Sequence, residues 1–177
     1  QNLKLANNLK LLIYPSNTNK RIYKSKLLLN ESEKKEFIKK DNENYPQNIF
    51  IVGMPRSGST LLESILSMNK KVDDLGEINI LEKSFLEYKN SCKYKSLTEL
   101  YLQRINNHVK TSNITTNKWL YNYQYVGIIS NQIINSKIIH SYRNPLDNIL
   151  SIYRTNFTTG NEYSSSLVDC AKIYLDQ

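Results

Sequence analysis

The sequence predicts an α/β domain, a three-layer sandwich in which a parallel sheet lies between helices. Three observations lead there. Residues 48–53, Asn-Ile-Phe-Ile-Val-Gly, form an unbroken β-favouring run closed by glycine, the pattern of a strand buried on both faces. Shorter runs of the same kind recur at 71–75, 114–117 and 137–141. Between the runs lie segments of helical length with apolar residues along one face, and strands alternating with helices mean parallel pairing through helical crossovers.

Taken in chain order, residues 1–47 read as a helical N-terminal segment and linker. Its helices break near Tyr14-Pro15-Ser16-Asn17, and 41–47 is polar and contains Pro46. The sandwich occupies 48–177. Its first strand leads into a tight loop, Met54-Pro55-Arg56-Ser57-Gly58, and then a helix over 59–68 that groups Leu61, Leu62, Ile65 and Leu66 on one face. The second strand ends at Gly76-Glu77, an interval that accommodates one crossover helix. Helices are expected over 78–89, 97–109 and 123–134, the last with Val126, Ile129 and Ile133 along one face. After the fourth strand, Asn144 is a favoured cap, Pro145 a favoured first helical residue, and Asp147 places charge where the helix N-terminus welcomes it.

At 177 residues the chain is long enough for one domain with a sizeable core and short for two. Hydrophobic residues make up 40% and charged residues 23%, with only 5 Gly and 4 Pro, which excludes disordered and collagen-like classes. No apolar stretch is long enough for a transmembrane helix. A chain that starts at Gln1 and stops inside a helical pattern reads as a fragment, C-terminally incomplete; without the true N-terminus, the absence of a signal peptide says nothing about export. Cys92 and Cys170 fit no metal spacing and read as free thiols of a reducing, cytoplasmic compartment. The glycosylation patterns at Asn30, Asn113 and Asn156 are what a chain rich in Asn, Ser and Thr carries by chance. Residues 1–48 hold 10 Lys/Arg against 5 Asp/Glu, a net +5 of the total +8. Those lysines alternate with Glu31, Glu33 and Glu36 without regular aromatic interleaving, which favours a solvated helical face over a nucleic-acid surface.

The chemistry gathers after the first strand. Residues 53–60, Gly-Met-Pro-Arg-Ser-Gly-Ser-Thr, keep the Gly-x-x-x-x-Gly-x-Thr frame of a phosphate-binding loop, in which backbone N–H groups and a helix N-terminus hold an anion. Where nucleotide hydrolases place a phosphate-reaching Lys, this chain has Ser59, and the cation sits inside the loop as Arg56. The fourth strand ends in Ser141-Tyr142-Arg143 rather than in an Asp that would hold Mg²⁺. Such a loop suits a phosphate-like group without a metal, with Arg143 as a second cation at a neighbouring strand end.

Together, residues 55–63, Gly76-Glu77 and residues 138–151 resemble the sulfotransferases that use 3′-phosphoadenosine 5′-phosphosulfate (PAPS). The likeness covers roughly residues 49–160. It is nearest to the bacterial enzymes often fused to tetratricopeptide repeats and more distant to tyrosylprotein sulfotransferases. The resemblance implies a sulfotransferase fold of the P-loop nucleoside-triphosphate-hydrolase type. The activity it implies is sulfuryl transfer from PAPS to a hydroxyl or amine, leaving adenosine 3′,5′-bisphosphate (PAP). By the same resemblance Arg56, Ser57, Gly58, Ser59 and Thr60 hold the 5′-phosphosulfate, Arg56 faces the transferred group, and Arg143 with Ser151 holds the 3′-phosphate. Ser151 lies along the helix that starts at Pro145, so it and Arg143 can flank one anion. The resemblance further implies that Lys118, after Asn117, stabilises charge on the bridging oxygen and that Glu77 is the acceptor-side base. Tyrosylprotein enzymes have two consecutive acidic residues there, whereas this chain has Glu77-Ile78. The residues leave the acceptor open among carbohydrates, lipids, peptides and small alcohols, and the resemblance allows for tetratricopeptide repeats upstream.

Rival readings stand beside these. A small-molecule kinase of the phosphate-loop class is disfavoured by Ser59 and the missing Asp. A degenerate anion-binding domain without activity is the other alternative. Locally, Lys118 can be a solvated lysine and Glu77 a helix cap, while Asn144 and Asp147 read best as caps. His140 reads as a hydrogen-bonded core residue, and Trp119 as a wall of either core or acceptor cleft. Glu63 lies down the first sandwich helix, which leaves Glu77 as the carboxylate for the acceptor side.

Overall fold

The computed structural model describes residues 1–34, 45–90, 95–109, 114–157 and 160–177. Cys92, Asn113, Thr158 and residues 41–44 of the polar linker lie outside the described residues. Two helices come first, α1 (Asn2–Ile13) and α2 (Thr18–Glu33), separated at Pro15. The Asn17 side chain caps α2 by accepting from the Lys20 N–H at 3.1 Å. Then follow β1 (Gln47–Gly53), α3 (Ser59–Ser67), β2 (Val72–Asp74), α4 (Ile80–Asn90), α5 (Leu97–Ile105) and β3 (Ile114–Asn117). A 3₁₀ turn (Leu120–Tyr125) leads into α6 (Val126–Gln132), so the expected single helix over 123–134 begins in the tighter form. The chain closes with β4 (Ser136–Ser141), α7 (Pro145–Arg154), a 3₁₀ turn (Glu162–Ser165) and α8 (Leu167–Asp176).

All four strands are parallel, in the order β2-β3-β1-β4, and helices flank the sheet. Ile49 pairs with Thr116 on one side and Lys137 on the other. The step from β1 to β2 crosses the sheet one way, and the steps to β3 and β4 return. Right-handed crossovers therefore put α3 on the face opposite α4, α5 and α6.

The larger core packs Phe50 and Val52 of β1 against Leu81, Phe85, Tyr101, Ile105, Ile128 and Ile129. The Phe50 and Tyr101 rings lie 5.3 Å apart at a 45° tilt. A smaller core joins Met54 to Ile152 of α7, Tyr163, and Cys170 and Ile173 of α8. Each fully buried side chain of this size contributes about 1.5–3 kcal/mol. Burial pushes the Cys170 thiol up to about 12, so this cysteine is an inert core residue. α2 joins the larger core through Leu28. Several of its cations are engaged: Lys24 pairs with Glu82, and Arg21 stacks over the Tyr121 ring at 4.2 Å.

Two local expectations fail. Along α3, Leu61 and Ile65 are exposed, whereas Ser59 and Glu63, four residues apart on one face, are buried. The apolar grouping is split: Leu62 and Leu66 are half-buried beside Ser59 and Glu63, so the inward face is shared with a hydroxyl and a carboxylate. His140 is exposed on the edge strand β4 instead of lying in the core, because nothing pairs with the outer edge of β4 among the described residues. The cap of α7 forms as expected, with the Asn144 side chain accepting from the Leu146 and Asp147 N–H groups at 3.0 and 3.3 Å. Among the described residues, no helix is long and apolar enough to cross a membrane.

Candidate active site

The carboxyl ends of the four strands meet at one edge of the sheet, where parallel folds build their sites. After β1 the chain turns at Gly53 (φ 136°), and a Cβ there would lie 2.4 Å from the Ser141 carbonyl oxygen. Only glycine lets the ends of β1 and β4 come this close. Gly58 (φ 98°) caps α3 in the left-handed region, and Arg56 (φ 68°) in the loop before it also has a positive φ, a strained conformation for a side-chain-bearing residue. The neighbouring segment after β4 holds that strain in place. Asn148 donates to the Pro55 carbonyl at 3.0 Å, Arg143 Nη1 to the Arg56 carbonyl at 3.3 Å, and Arg56 Nε to Ser151 Oγ at 3.3 Å. Ser57 Oγ donates to Ser141 Oγ at 3.1 Å, and Ser141 Oγ returns a bond to the Ser57 carbonyl at 3.2 Å.

This arrangement encloses a hollow of about 430 Å³ lined by Arg56, Ser57, Gly58, Ser59, Thr60 and Arg143. Among the described residues neither guanidinium has a carboxylate partner. Two open cations and the N-terminus of a nine-residue helix make it a site for an anion. Ser151 sits on Arg56 rather than on the wall of this hollow beside Arg143.

A second hollow, about 380 Å³, shares Arg56, Ser59 and Thr60 with the first. It adds Glu77, Trp119, Tyr121, Phe157 and Asn161. The Tyr121 hydroxyl bonds to Asn161 and, at 3.3 Å, to the Tyr163 hydroxyl, and burial raises its phenol above the usual range. A further hollow of about 640 Å³, between α1 and the segment around Asn156 and Phe157, lies away from both open guanidiniums.

Between β2 and β3 sits a charged cluster. The backbone brings it together: Leu75 N–H donates to the Thr116 carbonyl and Lys118 N–H to the Gly76 carbonyl, both at 2.9 Å. Lys118, its side chain only 7% exposed, places Nζ 2.7 Å from Glu77 Oε1, 3.3 Å from Thr60 Oγ1 and 3.9 Å from Glu63 Oε2. Glu77, by contrast, is 61% exposed and looks into the second hollow. Burial raises the Glu63 carboxyl above its ordinary value, although a bond from Thr116 Oγ1 at 3.1 Å and the Lys118 charge oppose it. Asn117 turns the chain into this cluster by accepting from the Trp119 N–H at 3.0 Å and the Asn122 side chain at 3.1 Å.

Every site residue expected from the sequence thus lies at this one edge. Glu63 and Asn148 are additions. Glu63 was signalled only by its spacing from Ser59, against the stronger apolar signal of the same helix, and Asn148 by nothing local. A model of the family described as "Sulfotransferase domain" matches residues 46–171, which span all four strands and both hollows. The chain belongs to the sulfotransferase family. The family match agrees with the mixed α/β fold and its parallel four-stranded sheet. This sulfotransferase is also similar to a protein of Aquifex aeolicus (strain VF5) described as "Uncharacterized protein". The two are 32% identical over 129 aligned positions that cover 62% of this chain and 17% of that protein. The sulfotransferase chain thus spans about a sixth of the length of that relative.

Proposed function

We propose that this sulfotransferase uses PAPS as donor and passes the sulfuryl group in line to a hydroxyl or amine. One observation carries the reading. The hollow with two open guanidiniums and the hollow with Glu77 share a wall made of Arg56, Ser59 and Thr60. A donor with phosphate groups at two positions suits two cations that have no carboxylate partner among the described residues. PAPS supplies an activated sulfuryl group on a phosphate leaving group. Arg56 and the α3 N-terminus bind the phosphosulfate end, and Arg143 takes the 3′-phosphate. Ser151 steadies Arg56. Lys118 reaches the shared wall at Thr60 and offsets charge that develops as the phosphate departs. Glu77 accepts the acceptor's proton at its carboxylate oxygen. The aromatic walls of Trp119, Tyr121 and Phe157 exclude water and orient a carbohydrate, lipid, peptide or small-alcohol acceptor.

The test is binding. The full-length protein should bind PAP without added metal and in preference to ATP with Mg²⁺, read by calorimetry. A lost charge-assisted contact costs about 1.5–3 kcal/mol, roughly ten- to a hundredfold, so Arg143→Ala should weaken PAP by that factor and adenosine 5′-phosphate far less. Equal losses for both ligands would remove Arg143 from the 3′-phosphate. Preference for ATP with Mg²⁺ would favour the kinase reading, and PAP binding without transfer to any acceptor the degenerate one.

A further inference from the structure

Glu63 has no role in the scheme above, yet it occupies the inward face of α3 while Leu61 and Ile65 of the same helix face solvent. A carboxylate is a poor choice for that position on stability grounds. Burial works against its charge, and the Asp74 charge on β2 adds to the effect. Its geometry is nevertheless well defined. Oε1 accepts the Thr116 hydroxyl at 3.1 Å, and Oε2 lies 3.9 Å from Lys118 Nζ. Glu63 does not line the hollow that contains Glu77, so it cannot meet an acceptor there.

Lys118 explains the arrangement. Its closest anion is Glu77, at 2.7 Å, and Glu77 is the exposed carboxylate assigned to the acceptor's proton. Once Glu77 is protonated it no longer balances the ammonium. A lysine 7% exposed would then be a buried, unpaired charge at the moment its position matters most. We propose that Glu63 is a positioning residue of the transfer site, a second and permanent counter-ion that keeps the Lys118 ammonium seated against Thr60 while Glu77 serves the acceptor. The role rests on the sulfuryl-transfer reading for its purpose, but the coupling of Glu63 to Lys118 does not. Anchored by Thr116 on β3, the Glu63 carboxylate stays in place whichever way Glu77 turns. The charged groups that act on it are Lys118 and, on β2, Asp74, with Glu77 on the far side of the Lys118 ammonium.

The experiment uses the full-length protein and its Glu63→Gln, Glu77→Gln and doubly substituted forms. Gln keeps an acceptor for the Thr116 hydroxyl, so Glu63→Gln should fold with a melting temperature at neutral pH no lower than the parent. With PAPS and a working acceptor, Glu63→Gln should lose about ten- to a hundredfold in kcat, the usual cost of removing a supporting residue, with the donor KM within about threefold. The readout independent of turnover is acylation of Lys118 by an amine-reactive acetyl reagent, followed by mass spectrometry. Glu77→Gln alone should leave Lys118 protected, and the double variant should label several-fold faster. If the double variant labels no faster than Glu77→Gln, Glu63 does not hold Lys118 and the proposal is overturned. If labelling behaves as expected but no form transfers from PAPS, the coupling stands and the donor assignment is what fails. Thr116→Val, isosteric and uncharged, should move kcat the same way by a smaller factor; an unchanged kcat there would detach the anchor from the role.

Discussion

The carboxyl ends of β1 and β4 carry Arg56 and Arg143, which have no carboxylate partner among the described residues, whereas those of β2 and β3 carry Glu77 and Lys118, joined at 2.7 Å. Both regions concentrate charge at the same sheet edge, and they treat it in opposite ways. On the β1/β4 side positive charge is left open to solvent, and it is backed by a loop held in left-handed backbone conformations at Arg56 and Gly58. Open, fixed cations are arranged to receive an anion. On the β2/β3 side Lys118 and Glu63 are held inside the fold, with Glu77 at the exposed rim, and there low polarity strengthens each interaction and makes an unmatched charge costly. Paired, buried groups are arranged to stay put while a neighbour changes its protonation. Under the proposed function, the difference divides the labour of one reaction, with binding on one flank and proton and charge management on the other.

The sharpest way to break this division is Glu77→Gln. Removing a general base lowers the chemical step by about 10²–10⁴-fold. PAP affinity, which belongs to the other flank, should stay within about threefold when measured by calorimetry. A collapse of PAP binding in this variant would mean the two flanks are a single binding unit. Survival of transfer would send the base elsewhere.

Lys118→Met comes next. It removes the ammonium that reaches the shared wall, so kcat should fall by about 10²–10³-fold, the typical loss for a group that stabilises charge in the transition state. Stability should fall as well, because Glu63 then keeps its burial without a cation, and breaking one partner of a buried pair costs up to about 3–5 kcal/mol. Adding Glu63→Gln to Lys118→Met should restore most of the lost melting temperature and none of the turnover. Recovery of both would reduce the cluster to a packing device, and recovery of neither would show that Lys118 supports the fold by other contacts.

The β1/β4 flank was the more legible of the two in the sequence, and the reason is distance along the chain. The unbroken run of β1, the glycine-framed loop after it, and the Asn144-Pro145 cap of α7 are each set by neighbours within a few residues, so pattern and turn chemistry reveal them. Glu77 and Lys118 stood out through the family resemblance, since a Glu after Gly or a Lys after a strand has bland readings as a cap or a solvated side chain. Their pairing depends on β3 lying between β1 and β2, an order no local signal contains. Glu63 was hidden more deeply. Leu61, Leu62, Ile65 and Leu66 dominate the periodicity of α3, and only the long-range meeting with Thr116 and Lys118 turns the inner side toward Ser59 and Glu63, leaving Leu61 and Ile65 exposed. His140 failed for a related reason: its strand pairs on one side only among the described residues, so an apolar run does not imply burial.

The smallest expected effect separates a carboxylate placed for folding from one placed for chemistry. Glu82 on α4 accepts from Asn79 at 2.7 Å and pairs with Lys24 of α2, which ties the N-terminal helix to the domain. Burial alone would raise the Glu82 carboxyl, but the hydrogen bonds from Lys24 and Asn79 and the Lys24 charge outweigh it and hold the group below its ordinary value. Glu63 is shifted the other way. The signs lead to opposite stability profiles. Because the folded state binds the Glu82 proton less readily than the unfolded chain, its contribution is fully present above the ordinary carboxylate range and is lost as pH falls through the lowered folded value. For Glu63 the folded state holds the proton more readily, so its charge costs stability at neutral pH and the cost fades as acid protonates it. Glu82→Gln should therefore melt below the parent at neutral pH, by about 0.5–1.5 kcal/mol or roughly 2–4 °C. That gap should close as pH drops below about 4, near the ordinary carboxylate range. Glu63→Gln should melt at or above the parent at neutral pH and converge with it in acid from the other side. Calorimetric melts of the three proteins across that range decide the matter: two gaps of the same sign would mean that Glu63, like Glu82, is there to hold the fold together.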